Sequence, residues 1–250
     1  MIAAPALLLL HAATFHKDVL PILQKRCQPC HRPGEIAPMP LLTYRDVRPW
    51  AKAIREAVLT RKMPPWFAAS ETLRFENDPR LAPAEIATID VWVRAGAPAG
   101  DARDGPAVAW TRGWNITTPD RVITMPEPVP VPARGRLDYQ FVILPLGLAA
   151  DRWVQAAEIR PGARAQVHHV VAYVREPASG WLRDQPAGRP FARPGPTTSD
   201  ILAIYAPGQP AMQLASGSAK LIPAGSDVVL QIHYTPNGRA AADRTSIGLV

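Results

Sequence analysis

Between Thr14 and about Gly100 apolar residues recur at three- and four-residue intervals, the period of helices that each bury one face. Thr14 is placed to cap a helix running to about Arg26, with Phe15, Val19, Ile22 and Leu23 as its apolar stripe and Pro21 near its middle. A proline-rich loop, 32–42, follows. Thr43 opens a second helix that continues from Pro49 to Thr60, with Trp50, Ala53, Ile54, Ala57 and Val58 on one side and Pro64-Pro65 as its stop. Pro83 stands at a first helical position, Ile86, Ile89 and Val93 form a third stripe, and Gly96 followed by Pro98 ends it. The expectation for this half is three short helices around loops.

From 101 to 112 the chain turns small and polar, beginning Asp101-Ala102-Arg103-Asp104-Gly105-Pro106, and reads as a linker. Beyond it come short β-type runs split by Pro and Gly: 121–124, 139–144, 153–159, 166–174, 201–205, 220–222, 227–234 and 245–250. Pro126 to Pro132 reads as an extended edge or connector, and Arg183 to Ser199 as a long loop. The spacing predicts an antiparallel β-sandwich, jelly-roll-like, over 113–250. The fold class expected is therefore α + β in two domains: a small all-α domain at 14–100 and an antiparallel sheet domain at 113–250.

Composition agrees with two modest domains in 250 residues. Hydrophobic residues make up 47 % and charged residues 20 %, enough to bury cores and too apolar for general disorder. The 29 prolines and 16 glycines show no Gly-X-Y period, which excludes collagen and matches the frequent chain breaks. A net charge of +7 invites a nucleic-acid reading, but the 28 Lys and Arg are scattered without a run, so nucleic acid is not expected as a partner. Ile2 to Leu10 is about half the apolar length needed to cross a bilayer. It reads as the core of an export signal occupying 1–13, with a buried N-terminal element as the alternative. The mature protein is expected to be periplasmic or otherwise exported, with no stable membrane insertion.

The two cysteines sit in Cys27-Gln28-Pro29-Cys30-His31. This CxxCH pattern signals covalent haem c: two thioethers tether one porphyrin edge and the adjacent histidine reaches the iron. A CxxC redox pair would want a βαβ setting and a zinc site two more ligands nearby, and the sequence supplies neither. Met63, 32 residues after His31 in Lys62-Met63-Pro64, is the favoured sixth iron ligand. Met39 is the rival, with eight residues of chain from His31 in which to reach the opposite haem face. A helix into CxxCH, a proline loop, a helix ending in Met-Pro and a final helix resemble a class I cytochrome c, in particular the cytochrome domains fused to larger bacterial oxidoreductases.

Of the six histidines, His11 and His16 lie near the start, His31 is in the haem motif, and His168, His169 and His233 fall inside predicted strands. One strand histidine is ordinarily structural, but three imidazoles together match the preference of copper, zinc or iron. Adjacent strand residues point to opposite faces, so His168 and His169 can share a metal only where the strand is twisted or bulged, or through the ring nitrogen nearest the backbone.

Val167-His-His-Val, Ile201-Leu-Ala-Ile-Tyr-Ala-Pro-Gly and Val229-Leu-Gln-Ile-His-Tyr, followed by Thr-Pro-Asn-Gly, resemble the N-terminal domain of the copper type II, ascorbate-dependent monooxygenases, the family that includes peptidylglycine α-hydroxylating monooxygenase. The likeness spans roughly 114–250. It implies that His168, His169 and His233 bind an electron-transfer copper, and that a small reductant or redox protein is the electron donor. The family's oxygen-activating copper uses a His-x-His pair and a Met from a following β-domain, and its disulfides need further cysteines. This chain has no His-x-His, and both its cysteines are in the haem motif. The expectation is thus a haem and copper oxidoreductase feeding a monooxygenase reaction, the chain being either a fragment or without the catalytic half. Two alternatives stand beside it. One is a cytochrome electron carrier with a non-catalytic β-domain, the other a zinc hydrolase using three histidine ligands.

Overall fold

The computed structural model describes residues 13–66, 68, 72–75, 77–110, 113–193 and 200–250. Most of the segment read as an export signal, 1–12, and 194–199 of the long loop lie outside the described residues. The chain forms two compact units, one of residues 13–33 and Met39–Ala109, the other of Gly34–Pro38 and Trp110–Val250. The first is helical and the second is built of antiparallel sheet, an α + β chain. Among the described residues no helix is long and apolar enough to cross a membrane.

The first helical segment opens as a π turn, Phe15–Val19, and continues as α1 (Leu20–Arg26). The Thr14 side chain makes no cap bond; instead Asp18 Oδ2 accepts from the Thr14 backbone N–H at 2.7 Å. Pro21 is the second residue of α1, two positions past the π turn, in the first turn of the α-helix where proline is tolerated. Thr43 does cap α2 (Tyr44–Val47): its Oγ1 accepts from Asp46 N–H and Asp46 Oδ2 accepts from Thr43 N–H at 3.0 Å. A 3-10 turn, Arg48–Trp50, then leads into α3 (Ala51–Leu59). That tighter turn shifts the buried face, so Ala51, Ile54 and Val58 point inward while Trp50 and Ala53, expected in the stripe, are exposed. The helix ends before the two prolines, with Arg61 in the left-handed region at φ 54°.

In α4 (Pro83–Arg94) proline takes the first turn, Glu85 Oε2 accepts from Ala82 N–H at 2.7 Å, and Gly96 at φ 86° turns the chain out. Its main anchor is Trp92, absent from the expected stripe. The ring has no solvent exposure, meets Phe15 at 6.2 Å between centroids, and donates its indole N–H to Pro98 O at 2.9 Å. Trp92→Ala is expected to cost about 3–5 kcal/mol, seen as a lower denaturant midpoint for the helical unit with the sheet unit unaltered. An unchanged midpoint would show that this ring is not part of the core. The segment read as a linker begins as part of this unit. A 3-10 turn, Ala102–Asp104, is followed by Gly105 lying against His16 and Leu20, and Gln24 Nε2 donates to Pro106 O at 2.8 Å.

Among its described residues the sheet unit has strands β1 (Arg121–Thr124), β2 (Val129–Val131), β3 (Gln140–Pro145), β4 (Arg152–Val154), β5 (Ala156–Arg160) and β6 (Val167–Arg175). These are followed by β7 (Phe191–Ala192), β8 (Asp200–Tyr205), β9 (Met212–Gln213), β10 (Lys220–Ile222), β11 (Asp227–Tyr234), β12 (Ala241–Asp243) and β13 (Ser246–Leu249). One sheet has the order β1-β13-β5-β9, a second β7-β3-β11-β6-β8, and β2 pairs with β12 and β4 with β10. Every pairing is antiparallel. Leu144 of β3, Ala172 of β6 and Leu230 of β11 share one core with Ile159 of β5 and Ile247 of β13, so the two larger sheets close a common interior. The opposite faces of β3, β6 and β11 carry Phe141, Ile143, Tyr173 and Val229, which are covered by Trp181, Leu182 and Phe191. Burial on both sides explains why β3 and β11 read as continuous apolar runs rather than alternating ones. The stretch from Pro126 to Pro132 holds β2, whose pairing to β12 tolerates Pro130 because only one neighbour needs its hydrogen bonds.

Candidate metal centre

The central strands β6 and β11 carry the three histidines. Their pairing runs in step from Asp227 opposite Arg175 to His233 opposite His169, and then Tyr234 falls opposite Val167. His168 is the extra residue, a β-bulge in β6. In a regular strand it would point away from His169; the bulge turns both rings toward His233. One ring nitrogen from each lies within 4.8 Å of the other two. His168 Nδ1 and His169 Nδ1 are 3.0 Å apart, and the ring centroids are separated by 5.3, 5.1 and 5.1 Å. Interplanar angles of 68°, 70° and 62° set the rings edge to face, not stacked. His233 Nδ1 is buried and has no hydrogen-bond partner, a cost that a bound cation would remove.

Protonation is disfavoured at His169 and His233. Burial, then His233 and His168, pushes His169 down to about 4, and burial, then His168 and Arg136, lowers His233. Neutral imidazoles are the form that ligates metal, and among the described residues no carboxylate joins the cluster, so the donor set is all nitrogen. The low value for His169 also has a stability consequence. The unfolded chain takes up a proton below about 6.5 and the folded one only near 4, so stability present above 6.5 declines as pH falls through that window. Chelator-treated protein is expected to show a falling denaturant midpoint for the sheet unit from pH 6.5 to 4, and His169→Gln a flatter profile; equal slopes would contradict the assignment. Tyr139, which sequence reasoning missed, flanks the site with its ring 4.9 Å from His233 and 5.8 Å from His169. It stands just ahead of β3, two residues from Phe141, and the adjacency of β3 to β11 is what brings it there.

In the helical unit, the backbone of Cys27-Gln-Pro-Cys-His31 coils as a turn, with Cys30 N–H and His31 N–H both donating to Cys27 O at 3.1 and 2.8 Å. The proline loop closes back onto it: Leu41 N–H donates to His31 O at 2.9 Å, and buried Gln28 donates through Nε2 to Leu41 O at 2.8 Å. His31 Nδ1 lies 3.2 Å from Met39 O. A carbonyl can only accept, so Nδ1 carries the proton and Nε2 is left with its lone pair, the tautomer that an iron ligand needs. Met63, an exposed side chain, lines a cavity of about 240 Å³ whose apolar walls, Val58, Pro64, Trp66, Leu81 and Ile86, also carry Arg61 and Arg80.

No protein-family model and no curated protein matches this chain. What the two sites can do is therefore argued from their side chains. Cys27 is half-buried, and burial, with Cys30 and Glu85 behind it, pushes its thiol up to about 12. A thiol held protonated is a poor nucleophile for disulfide exchange, which weighs against a redox-pair role and leaves the tethering role open. His31 is kept neutral by burial. The residues of the CxxCH turn thus fit a covalently held haem, and the three strand histidines fit a metal of the copper, zinc or iron group.

Proposed function

We propose that this protein is an electron-transfer oxidoreductase with a haem c bound by the helical unit and a copper ion bound by the sheet unit. The helical unit is read as a class I cytochrome c domain, with Cys27 and Cys30 as tethers, His31 as the proximal ligand and Met63 as the distal one. The sheet unit is read as a jelly-roll-like β-sandwich of the copper type II monooxygenase kind, with His168, His169 and His233 as ligands. Its role is to pass single electrons, taken from a small reductant or a redox protein, toward a monooxygenase reaction; both groups, when bound, change oxidation state by one electron. The convergence of three imidazoles from two strands within 4.8 Å carries this reading. The chain's own contribution is to hold His169 and His233 neutral, to aim the three rings at one point through the bulge, and to flank them with the Tyr139 ring. An exported location would suit both covalent haem and the reading of 1–13.

The test is native expression followed by metal analysis, a reduced-minus-oxidised spectrum and electron paramagnetic resonance. One haem and one copper per chain, with a type 2 copper signal, is the expected result. Zinc in place of copper would favour hydrolytic chemistry, and haem with no second metal would leave a cytochrome carrying a passive sheet unit.

A further inference from the structure

Asp243, on β12, has no solvent exposure and, among the described residues, no ion-pair partner. A buried carboxylate without a cation is expensive unless its oxygens are saturated by hydrogen bonds. They are saturated here by donors from three separate segments. Ala163 N–H, on the turn leading into β6, donates to Oδ1 at 2.8 Å; the Tyr234 hydroxyl, at the end of β11, and the Thr245 hydroxyl donate to Oδ2 at 2.9 and 2.7 Å. Tyr234 directly follows His233 and is the residue at which the register slips. The same turn is held further by Val167 N–H donating to Ala163 O at 3.0 Å and by Thr235 N–H donating to Gln166 O at 2.7 Å. Gly162 lies so close to the Arg244 backbone that a Cβ would stand 3.0 Å from its N and O. One carboxylate therefore ties the entry of the strand bearing His168 and His169 to the exit of the strand bearing His233, next to the bulge.

We propose that Asp243, acting through Tyr234 and Ala163, is the positioning residue that fixes the bulge and so the mutual placement of the three imidazoles. The inference rests on the metal reading above. A bulge without such a tie can slide by one residue, and a one-residue slip in β6 would send His169 to the other face. Asp243 touches no histidine ring, so its influence is on ligand geometry, as outer-shell partners of metal sites generally act.

The experiment uses the full chain and three variants, Tyr234→Phe, Asp243→Asn and Val228→Ala, the last at the far end of β11 as a purely structural control. Copper(II) affinity is measured by chelator competition, copper geometry by paramagnetic resonance, and imidazole placement in the metal-free protein by ring nitrogen resonances. Tyr234→Phe, which removes one hydrogen bond and no ligand, is expected to weaken copper binding about 10- to 100-fold and to shift the imidazole resonances, with Asp243→Asn more severe. Val228→Ala should lower the melting temperature while copper affinity stays within about twofold of the parent. Tyr234→Phe with parental affinity, copper signal and ring resonances would overturn the proposal and leave the metal reading standing. A parent that binds no copper would end the metal reading; the ring resonances of Tyr234→Phe would still decide whether Asp243 positions the histidines.

Discussion

Replacing His233 with alanine is expected to empty the sheet unit of copper. The other two ligands are sequence neighbours on one strand, and His233 is the only one of the three from β11. Loss of an outer-shell partner alone costs metal sites about 10- to 100-fold in affinity, so loss of a direct ligand should exceed about 100-fold. The change removes a partly buried neutral ring whose Nδ1 has no partner, so the fold loses no hydrogen bond at that atom. Copper per chain should fall toward zero while the thermal transition and the haem spectrum stay close to the parent. Full copper occupancy in His233→Ala would mean that the cluster is not the binding site.

A second all-or-none effect is expected from Cys27→Ser combined with Cys30→Ser. The turn itself is held by backbone bonds and by Gln28 donating to Leu41, none of which uses sulfur, so the helical unit should keep its local geometry. The change removes the thioether attachment. Pigment that resists acidic organic extraction in the parent should be released in the double variant, with copper binding in the sheet unit unaffected. Pigment retained after both substitutions, or a parent that never acquires any, would refute covalent attachment.

Much of the fold could be read from residue order because the deciding signals are local. Thr43 and Pro83 at helix starts, Gly96 at a helix end, and the apolar runs of β3, β6 and β11 are each signals carried by one residue or a few neighbours. What stayed hidden depends on contacts between distant segments. Trp50 looked like core and is exposed because a 3-10 turn rotates the helix face; Trp92 fell outside the expected stripe and is the largest fully buried side chain of its helix. Strands β7 and β9, two residues each, are too short for any period to show.

The candidate site was legible to the same extent. His168, His169 and His233 could be picked out by type, and the need for a distorted strand followed from the alternation of side chains. Which distortion, and what sustains it, could not be known: Asp243 lies ten residues after His233 in an unremarkable Ala-Ala-Asp stretch, and Tyr139 lies 29 before His168. The pairing of β11 with β3 and β6 gathers Tyr139 and the histidines, and the hydrogen bonds from Ala163 and Tyr234 to Asp243 add the fourth segment.

The three imidazoles are not equally free. His233 is carried by a strand sealed on both faces, whereas His168 protrudes on a bulge in contact with solvent. A cation that prefers different coordination shapes before and after gaining an electron would find one donor immovable and another compliant. The adjustment would then fall on the exposed His168 ring and not on the sheet beneath it.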